Sequence, residues 1–265
     1  MKVFISADIE GIATTSTWEE CDPSNPAYPR NAQEMTKEVV AAVNGAFDAG
    51  ATEVVVRDAH GAATNIDQTQ MPSRVILQRS YTGHPYMKVE GIDPSYDAAM
   101  FIGYHSAASK IGNPLSHTLT GRPAYIKING RLASEFMIYS WACALEGVPT
   151  VFLSGDKMLC EDETELHPSL VCVPTKECRG SFTRNYALPD VHSALREKAA
   201  QALQQDFTAA KIELPKHFEV EIFFKEQWYA EKVSYYPGVK KLTNNIVTFE
   251  SDEYLEILRT LKWIM

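Results

Sequence analysis

Asp8 and Glu10 stand two residues apart at the end of a short apolar run that begins with Val3, Phe4 and Ile5. In an extended chain the side chains at i and i+2 project to one face, so the two carboxylates lie side by side while Ile9 turns away. Two like charges placed together need a cation. Histidines recur in comparable places: His60 follows the apolar run 53–58 and His105 follows the run 97–103. Glu135 adds a third carboxylate at the start of a helix. These oxygen and nitrogen donors, without sulfur, suit Zn2+ or Mn2+ better than Mg2+ or Cu+. Five ligands exceed what one tetrahedral ion takes, so two ions sharing a bridging carboxylate is the economical arrangement. Metal pairs roughly 3.5–4 Å apart polarise a carbonyl and generate hydroxide near neutral pH, which makes hydrolysis the expected chemistry. His117, in a loop with Gly112, Asn113 and Pro114, is available as general acid or base.

An alternation of apolar strands and amphipathic helices must position these groups. Asn31 followed by Glu34 reads as a capping box, with Met35, Val39, Ala42, Val43 and Ala46 at helical spacing and Gly50 as the stop. Strands are expected at 53–58, 97–103 and 151–153, with a short one at 74–77. Asn129 and Gly130 mark a two-residue hairpin turn, and a helix is expected from Ser134 and Glu135 to Gly147. Such alternation predicts a three-layer α/β/α fold with a largely parallel sheet, whose strand carboxyl ends gather along one edge. Ligand sites belong at that edge. Asp8, Glu10, His60, His105 and Glu135 therefore converge. Beyond about Pro168 the character changes: a helix is expected over 188–207, alternating Phe218, Val220, Ile222 and Phe224 form a half-wet strand with a partner at 245–250, and Ser251 caps a last helix. The expected division is an α/β metal-site domain over 1–167 and a smaller α+β portion over 168–265.

The segments Ser6 Ala7 Asp8 Ile9 Glu10 Gly11, Arg57 Asp58 Ala59 His60, Val89 Glu90 Gly91, Gly103 Tyr104 His105 and Ser116 His117 Thr118, with Glu135, carry a resemblance. In order and spacing they resemble the zinc-dependent D-aminopeptidases of bacterial dipeptide-transport operons, most closely from Met1 to Asp156. The resemblance implies zinc, two ions per subunit, bound by Asp8, Glu10, His60, His105 and Glu135, with His117 in the catalytic role. It also implies removal of an N-terminal D-residue from short peptides such as D-Ala-D-Ala, in a ring-shaped homodecamer. The loop from His105 to His117 is one residue longer than the family pattern.

The remaining features bound the answer. A chain of 265 residues with 45% hydrophobic content can bury a substantial core. Its net charge of −9 argues against a nucleic-acid or anionic-membrane partner. No apolar run approaches the roughly 20 residues of a membrane span, and the first strand is interrupted by Asp8 too soon for a signal peptide, so a cytoplasmic location is expected. The five cysteines include no C-x-x-C pair, which points to buried structural thiols. Asp58 reads as a partner fixing a histidine or as a plain strand end, and Ser154, Gly155 and Asp156 as a helix cap. Lys176 is expected on the surface, as are His84, His167, His192 and His217. Two other functions compete: a two-metal phosphodiesterase or exonuclease, and a non-catalytic metal- or peptide-binding protein of the same fold.

Overall fold

A computed structural model describes residues 1–265, apart from the side chain of Thr208. In chain order the elements are β1 (Lys2–Ala7), α1 (Tyr28–Asp48), β2 (Glu53–Asp58), β3 (Val75–Gln78), β4 (Ala98–Tyr104), β5 (Pro123–Ile128), β6 (Arg131–Leu132), α2 (Glu135–Leu145), β7 (Thr150–Asp156) and α3 (Lys157–Leu166). They continue with β8 (Val171–Arg179), β9 (Phe182–Asn185), α4 (Leu188–Leu203), β10 (Phe218–Phe224), α5 (Gln227–Val233), β11 (Lys240–Lys241), β12 (Ile246–Ser251) and α6 (Tyr254–Ile264). The larger sheet has seven strands in the order β3-β2-β1-β4-β7-β8-β9, parallel throughout except for β9.

The near-continuous apolar strands of this sheet are buried on both faces, and each alternates between two cores. Val3, Ile5, Val54, Val56, Met100 and Ile102 face the layer made by α1 and α4. Phe4, Val55, Ala99 and Phe101 face the other way, onto α2 and a second sheet. That sheet is antiparallel, in the order β11-β12-β10-β5-β6. It is joined to the first by aromatic packing: Tyr254 of α6 donates its hydroxyl proton to the Ile138 carbonyl of α2 at 2.8 Å, and Trp141 packs on both Tyr254 and Phe218.

The mixed α/β architecture is the one expected, but the two sheets interleave along the chain. Each draws strands from both sides of residue 167: β8 and β9 extend the parallel sheet, whereas β5 and β6 belong to the antiparallel one. The first helix starts at Tyr28, ahead of Asn31, because Pro29 in the first turn has no N–H to leave unpaired. Asn31 instead accepts the Thr14 hydroxyl at 2.6 Å and donates to the Ala27 carbonyl. Helix α4 stops at Leu203, short of Phe207. The Asn129–Gly130 turn has positive φ at both residues, 50° and 79°, as a two-residue hairpin requires.

The strand order places the site. The chain runs outward from β1 through β2 to β3 and then returns to β4 on the other side of β1, so the order reverses between β1 and β4. A crevice opens at the carboxyl ends of strands at such a reversal.

Candidate metal centre

Two glycines allow the ends of β1 and β4 to meet. The Gly11 N–H donates to the Gly103 carbonyl at 2.8 Å, and a Cβ on Gly11 would fall 1.7 Å from the Tyr104 carbonyl oxygen. Gly103 adopts φ +70°, and a Cβ there would fall 2.3 Å from the Asp8 carbonyl oxygen. Gly11 is needed for this close approach. The loop that follows is clamped from below. The Lys176 ammonium donates to the carbonyls of Glu10 (2.7 Å), Ile12 (3.0 Å) and Thr15. The Thr175 hydroxyl lies 2.5 Å from the Gly11 carbonyl, and Glu38 accepts the Ala13 N–H at 2.7 Å. Lys176 is thus fully buried under the site, not on the surface. It fixes the backbone that carries Glu10.

The sequence-predicted residues come together. Asp8, Glu10, His105 and Glu135 are buried, and His60 and His117 are about one-eighth exposed. Each histidine is oriented through Nδ1, which faces an oxygen acceptor. His60 Nδ1 lies 3.2 Å from Asn65 Oδ1, His105 Nδ1 3.0 Å from the Ser106 carbonyl, and His117 Nδ1 2.8 Å from the Leu115 carbonyl. A proton on each Nδ1 leaves the Nε2 lone pair facing inward. There, His60 Nε2 is 3.5 Å from Glu10 Oε1, His105 Nε2 is 3.6 Å from Glu135 Oε1, and His117 Nε2 is 3.4 Å from Glu135 Oε1. Each Nε2 thus faces a carboxylate oxygen, at a position that a proton or a metal ion can fill. Glu10 Oε2 and His105 Nε2 find no hydrogen-bond partner among the described residues. A divalent cation resolves this arrangement, since it accepts from both kinds of donor at once.

The supports behind the donors are equally defined. Asp58 accepts from the Asn65 N–H at 2.6 Å, the Asn65 amide at 2.7 Å and the Ile66 N–H at 2.8 Å, so it holds His60 through Asn65. Asp156 caps α3 by accepting the Leu159 N–H and also takes the Ser106 N–H and hydroxyl, fixing the turn after His105. Ser134 caps α2, while Glu135 Oε1 accepts the Leu119 N–H at 2.8 Å. The long loop still delivers His117, which stacks on His105 at a centroid distance of 4.3 Å.

Crowding sets the charges. Burial and the Glu10 carboxylate push Asp8 up to about 7, with Lys88 opposing. Burial works against charge on Glu10 too, but His60, His105 and His117 outweigh it and hold Glu10 well below the usual carboxylate range. Burial likewise disfavours charge on His105, yet Glu135, Glu10 and Asp8 raise it to about 9; burial and the adjacent His105 lower His117.

Two members of the site were not visible in the sequence. Cys21 puts a ligand atom within 4.8 Å of those of Glu10 and His60, with burial and the Glu10 and Asp8 carboxylates driving its thiol far up. Lys88, on the short turn Met87–Val89, places its ammonium against Asp8 Oδ2 and 2.5 Å from Glu135 Oε2. Of the histidines read as surface groups, His84 lines the cleft and His192 lies 2.5 Å from the buried Glu34. The cleft above the donors, about 440 Å³, is walled by Trp18, His60, Tyr81, His117 and Tyr139.

A parallel sheet with carboxylates and imidazoles gathered at its switch point is the framework of a metal-dependent α/β hydrolase. The chain matches the profile of the D-aminopeptidase family over residues 1–263 and belongs to that family. It is 27% identical over 263 residues to a D-aminopeptidase of Bacillus subtilis strain 168, covering 98% of this chain and 95% of that one. Among solved structures, the Zn-dependent D-aminopeptidase DppA from Bacillus subtilis, described as a self-compartmentalizing protease, superposes with a TM-score of 0.92 at 26% identity. The superposition covers 100% of this chain and 96% of that one. The family assignment does not favour the phosphodiesterase or the non-catalytic alternative.

Proposed function

We propose that this protein is a zinc-dependent aminopeptidase that removes N-terminal D-residues from short peptides such as D-Ala-D-Ala. The observation that carries the reading is the inward convergence of three imidazole Nε2 atoms on buried carboxylates with Glu10 Oε2 and His105 Nε2 unpartnered. Asp8, Glu10, His60, His105 and Glu135 are the candidate donors, and how many of them zinc takes turns on Lys88, treated below. Bound zinc supplies the Lewis acidity that polarises the scissile carbonyl. The protein supplies the rest. The cleft of about 440 Å³ is the size of a small peptide, and Trp18 and Tyr81 in its wall shield the reacting bond from bulk water.

His117 moves the proton. Its Nδ1 is occupied by the Leu115 carbonyl, so Nε2 is the atom that takes a proton from the attacking water. The water oxygen bonds to the carbonyl carbon, the C–N bond breaks, and Nε2 returns the proton to the leaving amine. Trp18, 5.2 Å away edge-on, restrains the ring.

The same reading places the protein in the cytoplasm as a homo-oligomer, a decamer by analogy with the family. The exposed Phe182, Trp228, Tyr235 and Trp263 support buried contacts between copies. Among the described residues no helix is long and apolar enough to cross a membrane.

The test is hydrolysis of matched D-Ala and L-Ala p-nitroanilides and dipeptides by zinc-loaded protein. Turnover of the D-substrates is expected, with a loss of about 10²–10⁴-fold in kcat for His117→Ala and loss of bound zinc for His60→Ala. Cleavage of L-substrates alone, or full activity in His117→Ala, would overturn it.

A further inference from the structure

We propose that the Lys88 ammonium stands in the place of a second metal ion, so that this chain takes one divalent ion at its site rather than two. The proposal rests on the zinc reading above and concerns how the donors are shared. Three buried groups of side chains bring ligand atoms within 4.8 Å of one another: Asp8 with His105 and Glu135, Glu10 with His105 and His117, and Glu10 with Cys21 and His60. Lys88 Nζ sits in the first of these only, bridging Asp8 Oδ2 and Glu135 Oε2.

Each carboxylate of that group has one oxygen hydrogen-bonded to a backbone N–H and the other against the Lys88 ammonium, Glu135 Oε2 as an ion pair without a hydrogen bond. Asp8 Oδ1 accepts the Ile9 N–H at 3.1 Å and Asp8 Oδ2 accepts from Lys88. Glu135 Oε1 accepts the Leu119 N–H at 2.8 Å and Glu135 Oε2 lies 2.5 Å from Lys88 Nζ. Glu10 differs in having no ammonium at ion-pair distance among the described residues: its Oε2 is buried without a hydrogen-bond partner there, and its Oε1 faces the Nε2 atoms of His60 and His117 at 3.5 and 3.9 Å. An ammonium has no lone pair, so it cannot serve as a ligand and competes with a metal ion for the same oxygens. A second cation next to it would be repelled by a charge at contact distance in a buried site.

Lys88 is also held in place rather than passing through. The Ser6 hydroxyl of β1 donates to the Lys88 carbonyl at 2.7 Å, and Tyr104 of β4 shares a 2.7 Å hydrogen bond with the same hydroxyl. Met87, just before it, takes the left-handed backbone at φ 43°, which turns the chain inward at Lys88. The side chain is 14% exposed, and its ammonium lies over the Tyr104 ring, 5.6 Å from the centroid. The single ion is left with the donors around Glu10.

The experiment counts zinc per chain by emission spectrometry after equilibrium dialysis, in the unaltered protein and in Lys88→Met and Lys88→Gln, with circular dichroism to confirm folding. Spectra of the unaltered protein loaded with two equivalents of Mn2+ are recorded by electron paramagnetic resonance. One zinc per chain in the unaltered protein, two in a folded Lys88 variant, and a magnetically isolated Mn2+ signal are expected. Two zinc ions per chain in the unaltered protein, or an exchange-coupled Mn2+ pair, would overturn the role of Lys88 while leaving the zinc enzyme standing. One zinc in both forms would likewise show that Lys88 does not set the count. No zinc in either form would remove the zinc reading itself. Should both variants unfold, the count and the spectrum of the unaltered protein decide alone.

Discussion

Gly11 and Gly103 bring the ends of β1 and β4 within one hydrogen bond of each other, 2.8 Å from the Gly11 nitrogen to the Gly103 carbonyl oxygen. No other pair of side-chain types allows this approach, because a Cβ on either residue meets backbone carbonyl oxygen at 2.3 Å or less. The carboxylates of Asp8 and Glu10 and the imidazole of His105 leave the sheet at this seam. Gly11→Ala must therefore push the strand ends apart. Overpacking of a tight core costs about 1–3 kcal/mol and more when the obstacle is backbone. The expected outcome is a melting temperature several degrees lower together with weakened zinc binding, read by calorimetry and by metal titration. Wild-type zinc affinity in a folded Gly11→Ala protein would contradict this account of the seam.

Asn65 couples Asp58 to His60. Its amide donates to Asp58 at 2.7 Å while its Oδ1 lies 3.2 Å from His60 Nδ1. Removing a group that orients a ligating imidazole costs about 10–100-fold in metal affinity. Asn65→Ala is expected to lose zinc to a chelator at concentrations that leave the unaltered protein loaded. The backbone N–H groups of Asn65 and Ile66 still donate to Asp58 Oδ2 and hold the turn, so the far-ultraviolet dichroism should not change.

How much of this could be read from the chain follows from where each residue sits. Asp8, Glu10, His60 and His105 each follow a buried strand of a parallel sheet, and period-2 burial together with strand direction is enough to bring them to one edge. Lys88 and Cys21 sit on irregular segments, a short turn and a loop, where no periodicity marks which way a side chain points. Lys176 reads as a surface residue for a related reason. Its acceptors are backbone carbonyls of Glu10, Ile12 and Thr15, more than 150 residues away in sequence, and a carbonyl carries no residue-type signal. The hairpin of β5 and β6 was legible as a hairpin, yet nothing local says that it pairs with β10 rather than with the parallel sheet.

Lys176 should be worth more to stability than its charge suggests. Burial pulls its pKa below the ordinary lysine range, and its ammonium serves three carbonyls at once. Lys176→Met keeps the length of the side chain but leaves the Thr15 carbonyl unpaired, while the Glu10 carbonyl keeps Asn113 Nδ2 at 3.1 Å and the Ile12 carbonyl keeps the Thr15 N–H at 3.3 Å; a group left unpaired where water cannot reach costs about 1–3 kcal/mol. Chemical denaturation is expected to show a loss on the order of 2–4 kcal/mol, against a change within about 0.5 kcal/mol for the exposed Lys198→Met. Equal effects at the two positions would mean that the carbonyl cage carries no load.

Glu163 of α3 gives stability a pH dependence of its own. Burial pushes its carboxyl up to about 7 from 4.5, and the single hydrogen bond from the Ser134 hydroxyl at 2.7 Å does not compensate. Between these values the folded chain holds a proton that the unfolded chain has released. Stability therefore falls as pH rises from about 4.5 to about 7 and levels off above. At about 1.4 kcal/mol per pH unit the full loss is about 3 kcal/mol. Glu163→Gln keeps the shape, cannot ionise and can still accept from Ser134. The difference in unfolding free energy between the variant and the unaltered protein should thus grow in favour of the variant across pH 5 to 7 and stay constant from pH 7.5 to 8.5. A difference independent of pH across that window would show that Glu163 is ionised in the folded protein and that Ser134 alone suffices to hold its charge.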